Sequence, residues 1–389
     1  MKQISGFKNS MILTEEGIKK TNLIIKNGLI QEIGSNEVSE MIELKDELFV
    51  IPGLIDEHIH GANGYDVIDG DVEGLYQISK SLAKEGVTGY LATTTTQKRE
   101  IILNALKAVK EYNDKNIIEG AEIIGVHLEG PFISDKYAGA QLKNYILKPD
   151  VKKFLEFIKY QNEIKLVTLA IEEDFDNELI NYLKANNIVV SIGHSNATYL
   201  DIKRSITGGV TCITHTYNGM KPFSKDEIGV VGSALLCDEL YCELICDGIH
   251  LSIPAIKLLC KNKPKDKIIL ITDALRMKNM PDGKYYELEQ TITLNNKSAT
   301  LKDGTLAGSV LKMNEAIKNI INYTECDFIT AIKYATENPA KNLGVFDKMG
   351  SIKENHWIKN KKYYEWNCIN LVFARFIFAI YCLLLFVMI

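Results

Sequence analysis

The chain has 389 residues, 46% hydrophobic and 24% charged, with 27 Gly but only 8 Pro. That length suits one large domain with a small annex, and the composition excludes a collagen-like or wholly disordered chain. Lys and Arg (45) fall short of Asp and Glu (50), leaving a net charge of −5 with no basic face, which argues against nucleic acid as a partner.

Residues 1–50 read as short strands that make a small β unit. In IIKNGLIQEIG, Asn27-Gly28 sits between alternating apolar runs, a strong two-residue hairpin signal. The N-terminal stretch is charged and has no apolar h-region, so it is not read as a signal peptide. None of the 8 Cys lies in the first half and no CxxC pair occurs, so reduced thiols in a cytoplasmic protein are expected.

From residue 50 the pattern changes. Apolar strand-like runs recur at 48–60, 87–94, 122–130, 164–171, 187–194, 210–215, 241–248 and 267–273, with amphipathic segments such as 72–86 and 149–161 between them. Strand and helix alternating eight times predicts an α/β fold, a (β/α)8 TIM-like barrel over residues 51–345.

His58, His60, Glu129, His194, His215, Asp247, His250 and Asp273 fall where those runs end, and in such barrels chemistry sits at the carboxyl ends of the strands. His58-x-His60 puts two imidazoles on one strand face, half of a divalent-metal site. Glu129 precedes the turn at Gly130-Pro131 and can anchor or bridge cations. His194 and His215 point the same way. His127 reads as an inner-barrel residue. Asp273 closes KIILITDA as a metal ligand, a general base beside an activated water, or both. No Ser or Cys nucleophile signature, dinucleotide motif or P-loop appears, so the residues suggest metal-assisted hydrolysis of an amide or ester.

The stretches PGLIDEHIHG (52–61), HLEGPFISDKYAGAQ (127–141), GHS (193–195), THTYNGM (214–220), DGIH (247–250), TDALR (272–276), DGTLAGSVLKMNEA (303–316) and ATENPAKNLG (335–344) carry a resemblance to a known family. The chain resembles the amidohydrolase superfamily and, within it, the deacetylases of N-acetylglucosamine 6-phosphate, from residue 1 to about 353. That resemblance implies a barrel of the amidohydrolase type with a small β-sandwich unit. It implies one or two divalent ions such as Zn, Fe or Mn, with Glu129, His194 and His215 holding the principal one and His58 and His60 a second. Asp273 would be the acid/base, and His250 would sit by the acetamide or hexose. Ala140, Gln141, Asn218, Gly219, Leu306, Ala307 and Gly308 would line the sugar phosphate. A cytoplasmic homodimer acting on an amino-sugar phosphate is the implied setting. The fourth run, LVTLAIEE, lacks the terminal Lys that dihydroorotase-like and dihydropyrimidinase-like relatives carboxylate, and Glu129 offers the substitute.

Two departures stand out. Where the family places a phosphate-gripping Arg, the loop KPFSKDEIGVVG aligns Asp226, which would repel phosphate, while Lys221 and Lys225 nearby offer only point charges. This leaves another acetamido sugar as an alternative substrate. From about residue 354 the family pattern stops, and 376–389 is an unbroken apolar run, short of the roughly 20 residues that span a bilayer. The tail, 346–389, reads as aberrant: a frame change without evolved structure, or an anchor. Membrane attachment is not expected, and an inactive product is the further alternative. The small β unit is expected to be incomplete, with an uncovered edge.

Overall fold

The computed structural model of the protein describes residues 5–117, 119–287, 289–354, 356 and 372–374. Eight strands, Leu54–Ile59, Val87–Thr94, Glu122–Glu129, Ile164–Leu169, Val189–Ile192, Cys212–Ile213, Tyr241–Ile245 and Ile268–Ile271, pair in parallel, each beside its chain neighbour. The first and last meet through a seam of hydrogen bonds. Asp273 donates its N–H to His58 O at 2.8 Å, and Thr272 donates its N–H and hydroxyl to the Asp56 carboxylate at 3.2 and 2.6 Å. The barrel foreseen from the spacing of apolar runs is therefore present.

The strands are buried on both faces, and so mostly apolar, because helices cover the outside and packed side chains fill the inside. Helix Val72–Ala83 shows how the covering layer forms. Asp71 accepts hydrogen bonds from the N–H groups of Glu73 and Gly74, which would otherwise lack partners, while Leu75, Ile78 and Leu82 recur at helical spacing and are buried. Full burial of such a side chain contributes about 1.5–3 kcal/mol, so Leu75→Ala would cost about 2–5 kcal/mol with its cavity term. Helix Tyr199–Gly208 starts with a capping box between Thr198 and Asp201.

The small sheet orders its strands Val372–Ala374, Leu48–Val50, Gly6–Thr14, Gly17–Lys26 and Leu29–Gly34, with Met41–Glu43 also paired to Gly6–Thr14. Asn27 and Gly28 turn between Lys26 and Leu29 with φ of 54° and 81°, the left-handed backbone a tight hairpin needs. The uncovered edge is met only in part. Val372–Ala374 pairs antiparallel with Leu48–Val50. Ile352 packs with Phe7, Ile12, Leu23, Ile25, Ile30 and Val50, and Ile30 donates its N–H to His356 O at 3.0 Å. The remaining tail, with its apolar run 376–389, lies outside the described residues. Among the described residues no helix is long and apolar enough to cross a membrane.

One element escaped the sequence reading. Strands Gly283–Glu287, Gln290–Asn295 and Ser298–Thr300 form an antiparallel sheet inserted after the last barrel strand. Its second turn places Asn296 and Lys297 at φ of 46° and 70°, so the alternation in TITLNNKSATL was the available signal. The insertion packs Ile292, Leu294 and Ala299 against Leu275, Met277 and Ala307, and so stands over the carboxyl ends of the strands.

Candidate metal centre

The barrel brings His58, His60, Glu129, His194, His215 and Asp273 together as six buried side chains. Several sit where a strand breaks sharply. His194, His215 and Asp273 have φ of 45°, 29° and 48°, uncommon for residues with a Cβ, and this turn at the strand end aims each side chain inward. Gly130, at φ 77° just after Glu129, is required there: a Cβ would lie 2.1 Å from Thr96 Oγ1.

Glu129 is the hub. Its Oε1 lies 3.0 Å from His215 Nε2, 3.3 Å from His194 Nε2 and 3.6 Å from His58 Nε2, and its Oε2 lies 3.3 Å from His60 Nε2. Asp273 Oδ1 faces the same pair of imidazoles, at 3.4 Å from His58 and 3.2 Å from His60. Two triplets of donor atoms result, His58–His60–Glu129 and Glu129–His194–His215, each with its atoms within 4.8 Å of one another. A carboxylate shared between two sets of imidazoles fits two divalent ions.

The outer ring nitrogens are held so that the inner ones face the cluster. His194 Nδ1 lies 2.7 Å from Tyr137 O, and His58 Nδ1 lies 2.9 Å from Glu243 Oε2. A carbonyl can only accept, so Nδ1 of His194 carries the proton and Nε2 presents its lone pair. His58 Nε2 is buried with no hydrogen-bond partner, as an imidazole prepared for an ion would be. The electrostatics agree. Burial opposes charge on His58, but Asp273, Glu243 and Glu129 outweigh it and lift the ring to about 9. Burial would raise Glu129, yet the surrounding imidazoles, His58 foremost, hold it well below the usual carboxylate range. Protons thus occupy the places where cations would neutralise the same carboxylates, and metal binding would displace them.

Glu243 was missed in the sequence. It is fully buried in strand Tyr241–Ile245, and its Oε2 also accepts the His215 backbone N–H at 3.0 Å. A lone acid within the apolar run YCELI was the signal. His127 lies deeper, its Nε2 2.7 Å from the Thr168 hydroxyl, and burial keeps its ring well below the ordinary value.

A cavity of about 260 Å³ opens onto the cluster, and Ala140, Gln141, Asn218, Gly219, His250, Leu306, Ala307 and Gly308 are among its lining residues. Gln141 is already committed in part, donating to Glu129 Oε2 at 2.8 Å and accepting from Thr95 and Thr96. His250 Nδ1 lies 2.7 Å from Asp247 Oδ2, while its Nε2 is buried without a partner. Asp226 is not among the lining residues. It sits in an exposed loop, paired with Lys225 at 2.5 Å. No Lys or Arg among the described residues lines this cavity.

Comparison with known proteins gives the family. The model of the amidohydrolase family matches residues 49–356. The chain is 40% identical over 360 residues to the N-acetylglucosamine-6-phosphate deacetylase of Bacillus subtilis (strain 168), covering 88% of this chain and 90% of that protein. It is 36% identical to the N-acetylglucosamine-6-phosphate deacetylase of Lysinibacillus sphaericus, covering 85% and 86%. The crystal structure of the N-acetylglucosamine-6-phosphate deacetylase of Thermotoga maritima superposes with a TM-score of 0.83 at 32% identity, over 90% of this chain and 93% of that one.

Proposed function

The chain belongs to the amidohydrolase family, and from that premise we propose that it is a metal-dependent deacetylase of N-acetylglucosamine 6-phosphate, yielding glucosamine 6-phosphate and acetate. The observation that carries the reading is the convergence of Glu129 with four imidazoles and Asp273 at the floor of a cavity sized for one sugar. Glu129, His194 and His215 would hold the principal ion, and His58 and His60, together with Glu129, a second. Divalent ions bound there would supply Lewis acidity and lower the pKa of a nearby water toward neutrality.

The chain's own groups do the rest. Asp273 is held below the usual carboxylate range by His58 and His60, against the effect of burial, so it is ionised and able to accept a proton. It takes the proton of the attacking water and returns it to the departing nitrogen. Burial works to lower His250, but Asp247 outweighs it and raises the ring, favouring a proton on the free Nε2 that can hydrogen-bond the acetyl oxygen as it gains charge. The backbone at Asn218–Gly219 and Leu306–Gly308 surrounds the sugar, and the insertion limits access of bulk water. The enzyme works in the cytoplasm as a homodimer.

Release of acetate from N-acetylglucosamine 6-phosphate by metal-loaded protein, set beside the unphosphorylated sugar, tests the reading. A kcat/KM for the phosphorylated sugar at least tenfold higher is expected. The reverse preference would favour a second reading, an unphosphorylated acetamido sugar, which the lack of Lys and Arg in the described cavity lining supports.

A further inference from the structure

One part of the cavity wall carries carboxylates that the metal centre does not use. Asp66 follows the first barrel strand, and Glu287 ends the first strand of the insertion. Each is 3% exposed, and both line the cavity. Asp66 Oδ1 accepts the Ile68 N–H at 3.0 Å, but its Oδ2 receives no hydrogen bond. Arg276 Nε lies 3.2 Å from Glu287 Oε1, off the line of its N–H, and neither oxygen of Glu287 receives a hydrogen bond. The rest of the guanidinium is committed to Asp69, at 2.8 and 3.3 Å. Three carboxylates thus share one cation, and three buried carboxylate oxygens, on two residues that line the cavity, are left without a donor.

A buried acceptor left unmet costs about 1–3 kcal/mol, and more when charged, so a ligand that supplies donors is favoured at this corner. Its chemistry follows from the surroundings. A phosphate would meet carboxylates in excess of the single guanidinium and be repelled. Hydroxyl groups donate without bringing charge and also accept when one of the carboxyls is protonated. Burial and the adjacent Glu287 push the Asp66 carboxyl well above the usual range, in keeping with two acids facing each other.

We propose that Asp66 and Glu287 form a subsite that hydrogen-bonds a ring hydroxyl of the sugar and thereby determines which acetamido sugars are turned over. This rests on the reading of the protein as a sugar deacetylase. It also orients the substrate, with its hydroxyl edge on the inserted sheet and its phosphate turned away from Asp66 and Glu287.

The test is a kinetic matrix on metal-loaded enzyme: N-acetylglucosamine 6-phosphate and its 1-, 3- and 4-deoxy analogues, against wild type, Glu287→Leu and Glu287→Gln. A site built around a hydroxyl rejects the analogue that lacks it, because its own polar groups are left unpaired. Wild type should therefore lose at least tenfold in kcat/KM on one deoxy analogue. Glu287→Leu should lose activity on the parent sugar and narrow that gap to threefold or less. Glu287→Gln, which keeps volume and one acceptor, should retain part of it. Equal kcat/KM across all analogues in wild type would overturn the proposal, and so would an undiminished gap in Glu287→Leu. If that variant does not fold, the gap in Glu287→Gln decides: a smaller gap supports the subsite, an unchanged one refutes it. Absence of turnover on every sugar by wild type would instead refute the deacetylase reading.

Discussion

His58 and Glu243, from the first and seventh barrel strands, are joined by a 2.9 Å contact between the imidazole Nδ1 and Oε2, with both side chains fully buried. The same oxygen accepts the backbone N–H of His215 at 3.0 Å, so one carboxylate orients groups on both sides of the metal centre. Partners of this kind fix the tautomer of a ligating imidazole and raise its basicity. Glu243→Ala should therefore weaken metal affinity about 10–100-fold. Chelator competition on folded protein checks this, and an unchanged affinity would reduce Glu243 to a packing residue.

Asp273→Asn should lower kcat by about 10²-fold or more while the protein keeps its metal. The amide can stay beside His58 and His60 but cannot carry a proton between water and nitrogen. The measurement is kcat on protein of known metal content. A metal-replete variant with near-wild-type kcat would remove Asp273 from the acid/base role.

Glu129→Gln should lose both metal and activity, because the neutral amide gives up the charge that both donor triplets share. His58→Asn should lose only the ion at His58 and His60 and keep part of the activity. Elemental analysis of the two variants separates these outcomes, and full occupancy in Glu129→Gln would refute the shared-ligand assignment.

How much of this was legible in the sequence depended on the range of the signal. Eight apolar runs with helical spacers gave the barrel, because a strand covered on both faces is mostly apolar. The polar residues closing those runs gave the metal cluster, since a strand end points its last side chains into one mouth. Glu243 was not legible in this way. It lies inside a run, and only the packing of strand seven under His58 and His215 gives its charge a purpose. Glu287 was hidden because no strand was read between the last barrel run and residue 303. Asp226 was placed by alignment with a family loop, but the fold turns that loop to the exterior, where Lys225 pairs with it.

Asp247→Asn should move the alkaline limb of the pH profile of kcat to lower pH. Burial lowers the His250 pKa and Asp247 raises it above the ordinary value, so removing the carboxylate leaves burial unopposed. The protonated ring is the active donor, and activity is then lost at a lower pH as the proton leaves. The shift should be absent in Asp247→Asn/His250→Asn. An alkaline limb unmoved by Asp247→Asn would mean that another group titrates there.

Ile352→Ala should destabilise the protein by about 2–4 kcal/mol, the usual cost of emptying a buried aliphatic site. Ile352 is 6% exposed and closes the core of the small sheet against Phe7, Ile12, Leu23 and Ile30. None of these residues lines the cavity at the metal centre, so kcat/KM of the folded fraction should stay within about twofold of wild type. Denaturant unfolding followed by tryptophan-independent circular dichroism gives the stability, and metal-saturated kinetics give the activity. A small stability loss, under about 0.5 kcal/mol, is the range of an exposed surface change. It would mean that residues 351–354 and 356 do not bind the N-terminal sheet in solution and that the β unit is held by its own strands alone.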